Sequence, residues 1–345
     1  MVLKELTTLP GVSGNEDAVR AYILEKVRPL CDRVTVDKMG NVLAYKQART
    51  GASGKRHAML CAHMDEVGLI IIGINDNGLL SYETIGSIDS RVLVSKRVKI
   101  GEKAVPGVIG AKAIHLQSRE EMGRVLQHEQ LYIDVGAKDK ASAEALVSPG
   151  DYAHFDSDWV EFGEGLVKAK ALDNRVGCAV LLSVLEGEYP IDITCAFTTQ
   201  EEVGCRGAMA AAFQIRPDCA LVLEGTSAND MGDVEEHLQV CNVGKGVAIS
   251  FMDLASIGHG GLTHALKALA DEKKISWQVK RYVSGGNDSS ALQRAYGATP
   301  CAVLSAPCRY IHSPSSVVSF QDIESMYQLT EAFLTGSAAF CGEVQ

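Results

Sequence analysis

Glu201 and Glu202 stand side by side in TCAFTTQEEVGCRG (194–207), directly after an apolar run. Adjacent carboxylates repel each other, and either one near a core carries a desolvation cost. A solvated turn removes both problems. So does a cation, with one acid holding it and the other doing chemistry beside it. Other groups of metal-ligand type follow other apolar runs. They are His63 and Asp65 after 57–62, Asp173 in KALDNRVG, Glu224 in LVLEGT and His312 in APCRYIHSPSS.

Each has a plainer reading alone. His63 reads as a core histidine, Asp173 as a helix N-cap, Glu224 as an arginine's partner and His312 as a solvated loop residue. Strand periodicity, however, puts His63 and Asp65 on one face, where a carboxylate orients a ligating imidazole. Two histidines and three or four carboxylates together suit a pair of divalent transition metals, zinc above all. Such a pair activates a water and polarises a carbonyl, and a free carboxylate then moves the proton. Neighbours at a strand end project differently, so Glu202 can hold metal while Glu201 faces the water.

These residues need a scaffold that gathers strand ends. Residues 16–28 carry helical spacing, and RVTVD and NVLAYK form a hairpin pattern across KMGN. HAMLCAHMD (57–65) reads as a buried strand. From 67 to about 165 short β-like runs alternate with Gly and Pro, and SAEALV is a short helical segment within them. After 165 comes an α/β rhythm: helix 174–186, strand 192–199, helix 205–215, strand 219–224, strand 247–251, helix 261–273, strand 276–283, helix 288–295, strand 299–305 and helix 320–336. The expected fold is α/β, a mixed sheet covered by helices on both faces, with an inserted β-rich domain at 67–162 between catalytic segments 1–66 and 163–345. In such sheets ligands gather outside the carboxyl ends of the strands, which is where these residues fall.

Composition excludes several classes. The chain has 345 residues and a net charge of −10, and no basic stripe interleaved with aromatics, so nucleic acid is not an expected partner. No apolar run is long enough to span a bilayer, and VGLIIIGI is far too short. Ten cysteines without a CxxC pair or an export signal read as free and buried, and the expected location is the cytoplasm. GASGKR (51–56) fails the phosphate-loop spacing and reads as a turn.

AHMDEVG (62–68), KALDNRVG (170–177), TTQEEVGCRGA (198–208), LVLEGT (221–226), GGNDSSALQ (285–293) and RYIHSPSSVV (309–318) closely resemble the glutamyl or deblocking aminopeptidases, the tetrahedral metallo-aminopeptidases. The motifs run in family order across nearly the whole chain. The resemblance implies a di-zinc exopeptidase fold and two divalent ions per subunit, zinc, cobalt or manganese. His63, Asp173 and Glu224 would hold one ion and Asp173, Glu202 and His312 the other, with Glu201 as general base and Asp65 orienting His63. It also implies short peptide substrates and an inserted domain that pairs subunits into dimers, which build a hollow dodecamer. Two departures stand out: Glu224 replaces a commoner aspartate, and the loop whose Asn287 and Asp288 are candidate substrate contacts reads GNDSS. Arg309 and Lys245 are further candidates for reading an acidic substrate side chain. The competing readings are an amide deacylase with the same centre and a non-catalytic metal-binding assembly. An intact base at Glu201 argues against the second.

Overall fold

The computed structural model describes residues 2–49, 56–232 and 234–336. Most of the GASGKR turn and Cys341 lie outside the described residues. The apolar runs HAMLCAH, DITCAFT, CALVLEGTS and CAVLSAPC form the four central strands of an eight-stranded sheet. The sheet order is Arg33–Val36, Val42–Lys46, Asp192–Thr198, His57–His63, Cys219–Ser227, Cys301–Cys308, Val247–Ser250, Trp277–Val279. The four central strands run parallel, so their carboxyl ends share one rim. Val42–Lys46 and Val247–Ser250 flank them antiparallel. The expected mixed α/β class is therefore the one adopted.

The strand period of two separates the faces. Ala58, Leu60 and Ala62 enter the larger core beside Val176, Val180 and Leu329, while Met59 and Cys61 enter a second core with Ala208, Ala212 and Leu292. Leu172–Val184 and Phe320–Gly336 thus pack on one face, and Arg206–Ile215 and Ser289–Leu292 on the other.

Immediately after His63 the chain leaves the sheet. Gly68–Ile74, Leu80–Ile85, Leu131–Asp134, Val105–Ala111, Arg97–Ile100 and Tyr152–Phe155 close a six-stranded barrel. The barrel has its own core of Leu69, Ile71, Val98, Ile100, Ile109 and Ile133. SAEALV (142–147) only overlaps the end of the helix Lys140–Glu144, which starts two residues earlier, and a second short helix, Arg119–Met122, was not expected. The return strand Leu166–Ala169 pairs with Ser316–Ser319 in a small separate sheet that the sequence pattern did not suggest. Two expected elements are shorter than anticipated. The strand at 276–283 is confined to Trp277–Val279, and the helix at 288–295 to Ser289–Leu292.

Candidate metal centre

His63 ends its strand with 1% exposure. Its Nδ1 lies 3.1 Å from the Asp65 carbonyl oxygen. A carbonyl only accepts, so this contact requires the proton on Nδ1 and leaves the Nε2 lone pair free. That nitrogen faces Asp173 Oδ1 at 3.4 Å, Glu224 Oε2 at 3.6 Å and Glu201 Oε2 at 3.9 Å. His312 is built the same way from other parts. Its Nδ1 donates to the Ser87 carbonyl at 2.9 Å, and its Nε2 faces Glu202 Oε2 at 3.3 Å and Asp173 Oδ2 at 3.4 Å. The structure thus brings together His63, Asp65, Asp173, Glu201, Glu202, Glu224 and His312 on one rim.

Asp173 does not act as an N-cap. Ala171 occupies that position without a side-chain cap, and Asp173 and Asn174 depart from helical geometry. Asn174 takes the local role instead, accepting from Gly177 N at 3.1 Å and donating to the Leu223 carbonyl at 2.7 Å. The Asp173 carboxylate is left to the rim. Gly225 makes room for it, since a Cβ there would stand 3.0 Å from Asp173 Oδ1. Four residues around the site, Ala171, Gln200, Cys205 and His312, have positive φ without being glycine. Such positions cost about 1–3 kcal/mol each and gather at functional sites.

Asp65 does more than orient His63. Its fully buried carboxylate accepts from Glu201 N at 3.0 Å, Glu202 N at 3.1 Å and Ser13 Oγ at 2.6 Å. It therefore pins the backbone of both adjacent acids. Burial alone would raise its pKa, but His63, Ser13 and the Glu201 amide hold it below the usual carboxylate value.

The rim carries too much negative charge for its own imidazoles. Burial first, and then neighbouring acids, push Glu201 and Glu224 well above the ordinary range and Glu202 up to about 7. Burial works against both imidazoliums, yet the surrounding carboxylates hold His63 well above its usual value and His312 up to about 9. Asp173 Oδ1, Glu202 Oε1 and Glu224 Oε1 are buried without a hydrogen-bond partner among the described residues. A cation facing such an oxygen would offset the cost of leaving it unpaired. The spacings agree with that. Around a tetrahedral zinc with N and O donors, adjacent donors stand about 3.4 Å apart.

The substrate-side expectations fare differently. Arg309 is committed to Asp230, donating from Nε at 2.8 Å and Nη2 at 2.7 Å, which leaves its fork unable to read a substrate acid. Lys245 is exposed on the turn between Gly244 and Gly246 and is not among the residues walling the cavity beside the rim. That cavity of about 180 Å³ is lined by Asp173, Glu224, Thr226, Lys280, Asn287 and His312, among others. Asn287 donates to Asp253 Oδ2 at 2.9 Å. Asp288 is fully buried and accepts from Thr198 Oγ1 at 2.6 Å. Lys280 was missed. It directly follows Trp277–Val279, so the rule of strand carboxyl ends finds it once that strand is stopped at 279.

Sheet, rim and paired imidazoles together define a hydrolase centre built for divalent cations. The chain matches the M42 glutamyl aminopeptidase family over residues 40–329 and belongs to that family. It is 36% identical over 330 residues to a protein of Acetivibrio thermocellus assigned as an aminopeptidase, covering 95% of this chain and 96% of that one. The aminopeptidase APDkam598 from the archaeon Desulfurococcus kamchatkensis superposes with a TM-score of 0.93 at 34% identity, covering 100% of this chain and 96% of that one. The Pyrococcus horikoshii TET1 peptidase, described as assembling into a tetrahedron or a large octahedral shell, superposes at 0.85 with 32% identity, covering 97% and 98%. The expected metal-dependent aminopeptidase activity is that of the family.

Proposed function

We propose that the chain removes N-terminal residues from short peptides with two divalent cations, zinc, cobalt or manganese, held between the two imidazoles. Asp173 carries this reading: its two oxygens face His63 Nε2 and His312 Nε2, each at 3.4 Å, so one carboxylate can serve two ions. His63, Asp173 and Glu224 hold one ion, and Asp173, Glu202 and His312 the other. When bound, the ions supply Lewis acidity, polarising the scissile carbonyl and lowering the pKa of the attacking water.

The chain's own groups do the rest. Glu201 takes a proton from the water and hands it to the leaving nitrogen. Its amide is held by Asp65 Oδ1 and its side chain is nearly buried, which fixes the carboxylate in place. The acid-rich rim favours the substrate's terminal ammonium by Coulomb attraction. The cavity walled by Thr226, Lys280 and Asn287 receives the first side chain.

In this reading residues 67–162 form a dimerisation domain inserted between catalytic segments 1–66 and 163–345. Exposed Ile72, Val108, Ile114, Leu116 and Met122 support a pairing surface. Such dimers would build a dodecamer of tetrahedral form, working in the cytoplasm.

The test is chelation followed by metal add-back on two substrate sets, aminoacyl-nitroanilides and N-acyl amino acids. Metal-restored cleavage of the first set is expected. Cleavage confined to the acylated set would replace this reading with a deacylase.

A further inference from the structure

A second donor group shares Glu201 with the rim but includes neither imidazole. Glu201, Cys205 and Asp288 each offer one ligand atom, and the three atoms lie within 4.8 Å of one another. Cys205 Sγ stands 3.5 Å from Glu201 Oε1. Sulfur and oxygen donors on one tetrahedral zinc stand about 3.6 Å apart, so this pair needs almost no rearrangement to share an ion. Asp288 is the most enclosed of the three donors. It is fully buried, and its Oδ2 accepts from Thr198 Oγ1 at 2.6 Å and from Cys61 Sγ at 3.4 Å. Its Oδ1 is also buried and has no hydrogen-bond partner among the described residues. A buried carboxylate oxygen without a hydrogen-bond partner is costly, and a cation removes the cost.

The backbone holds these donors where they are. Cys205 sits at φ 53°, immediately before the helix Arg206–Ile215, and Asp288 immediately before Ser289–Leu292. Neither donor is used by the hydrolytic reading.

We propose that Glu201, Cys205 and Asp288 form a third cation site, which takes soft or borderline divalent ions such as Cd2+ or Zn2+ in excess. The thiol supplies the preference, because sulfur ligands favour such ions over Mg2+ or Mn2+. On binding, a sulfur–metal bond forms, the Cys205 proton leaves to solvent, and nothing is oxidised or reduced. An ion seated there engages the Glu201 carboxylate and so inhibits hydrolysis. That last consequence rests on Glu201 being the proton carrier; the site itself does not.

The experiment loads the whole protein with Cd2+ under saturating conditions and counts ions per subunit by elemental analysis, while following the ultraviolet sulfur-to-cadmium absorption. Wild type is expected to hold three ions and show the band. Cys205→Ser is expected to hold two and lack it, and Asp288→Asn to bind the third ion at least tenfold more weakly. In parallel, Zn2+ beyond two equivalents is expected to inhibit wild type and to leave Cys205→Ser at least tenfold less sensitive. Two ions and no band in wild type would overturn the proposal, as would three ions in Cys205→Ser. Fewer than two ions in both proteins would instead strike the two-ion reading of the rim, so the two failures are distinguishable.

Discussion

The His63 and His312 halves of the rim share Asp173 but are built differently. His63 ends a central strand, is 1% exposed, and finds its orienting carbonyl two residues along at Asp65. His312 lies on a loop with its side chain 31% exposed, at φ 57°, and its orienting carbonyl belongs to Ser87 in the barrel segment. One half is made by the sheet. The other is complete only when the barrel is seated on it. Metal binding in the second half should therefore report on the barrel, whereas binding in the first should not.

The largest expected effect tests what the halves have in common. Glu201→Gln should keep both ions and lower kcat by about 10²–10⁴-fold, the usual range for a lost proton-transfer group. Near wild-type turnover in that variant would remove Glu201 from the mechanism. A smaller effect tests the seam beneath the barrel. Lys170 Nζ donates to both oxygens of Glu66, at 2.6 and 2.8 Å, just before the chain enters the barrel. Both side chains are almost fully buried, so Lys170→Met should cost about 3–5 kcal/mol by leaving Glu66 under-paired. Chemical denaturation measures this, and metal titration of the variant should show the His312 half weakened more than the His63 half. Equal weakening would show that the seam does not distinguish them.

His312→Ala tests the separation directly. It should lose about one ion per subunit while the His63 half keeps its own, as read by elemental analysis. Loss of both ions would mean that the halves are one cooperative unit. The smallest effect is a pH dependence in the barrel. Burial pushes His154 down to about 4, against an unfolded value near 6.5. Between those values the unfolded chain binds the extra proton and the folded chain does not, so stability falls as pH drops from 6.5 towards 4. His154→Gln should flatten that part of the Tm-against-pH curve. An unchanged slope would assign the acid sensitivity to other groups.

Much of the rim was legible before any coordinates. Buried parallel strands read as continuous apolar runs, so a charged or imidazole group at the end of such a run is conspicuous. His63, Glu201, Glu202 and Glu224 stood out for that reason. Asp173 was harder, because a helix N-cap explains an aspartate there equally well; the structure gives Asn174 the local hydrogen bonds and leaves the Asp173 carboxylate to the rim. Arg309 failed for a different reason. Its partner Asp230 is 79 residues away in the chain, and nothing local signals that its fork is taken.

The amino-acid sequence by itself determined which residue types end the central strands and that the pattern changes from short β runs to an α/β rhythm, because hydrophobic periodicity is local. Tertiary structure alone decided that Asp65 would hold the amides of Glu201 and Glu202, that a barrel carbonyl would orient His312, and that Cys205 and Asp288 would meet beside Glu201. Each of those contacts joins segments that become neighbours only when the sheet assembles and the barrel docks. Directional hydrogen bonds and charge pairs of that kind leave no period in the chain.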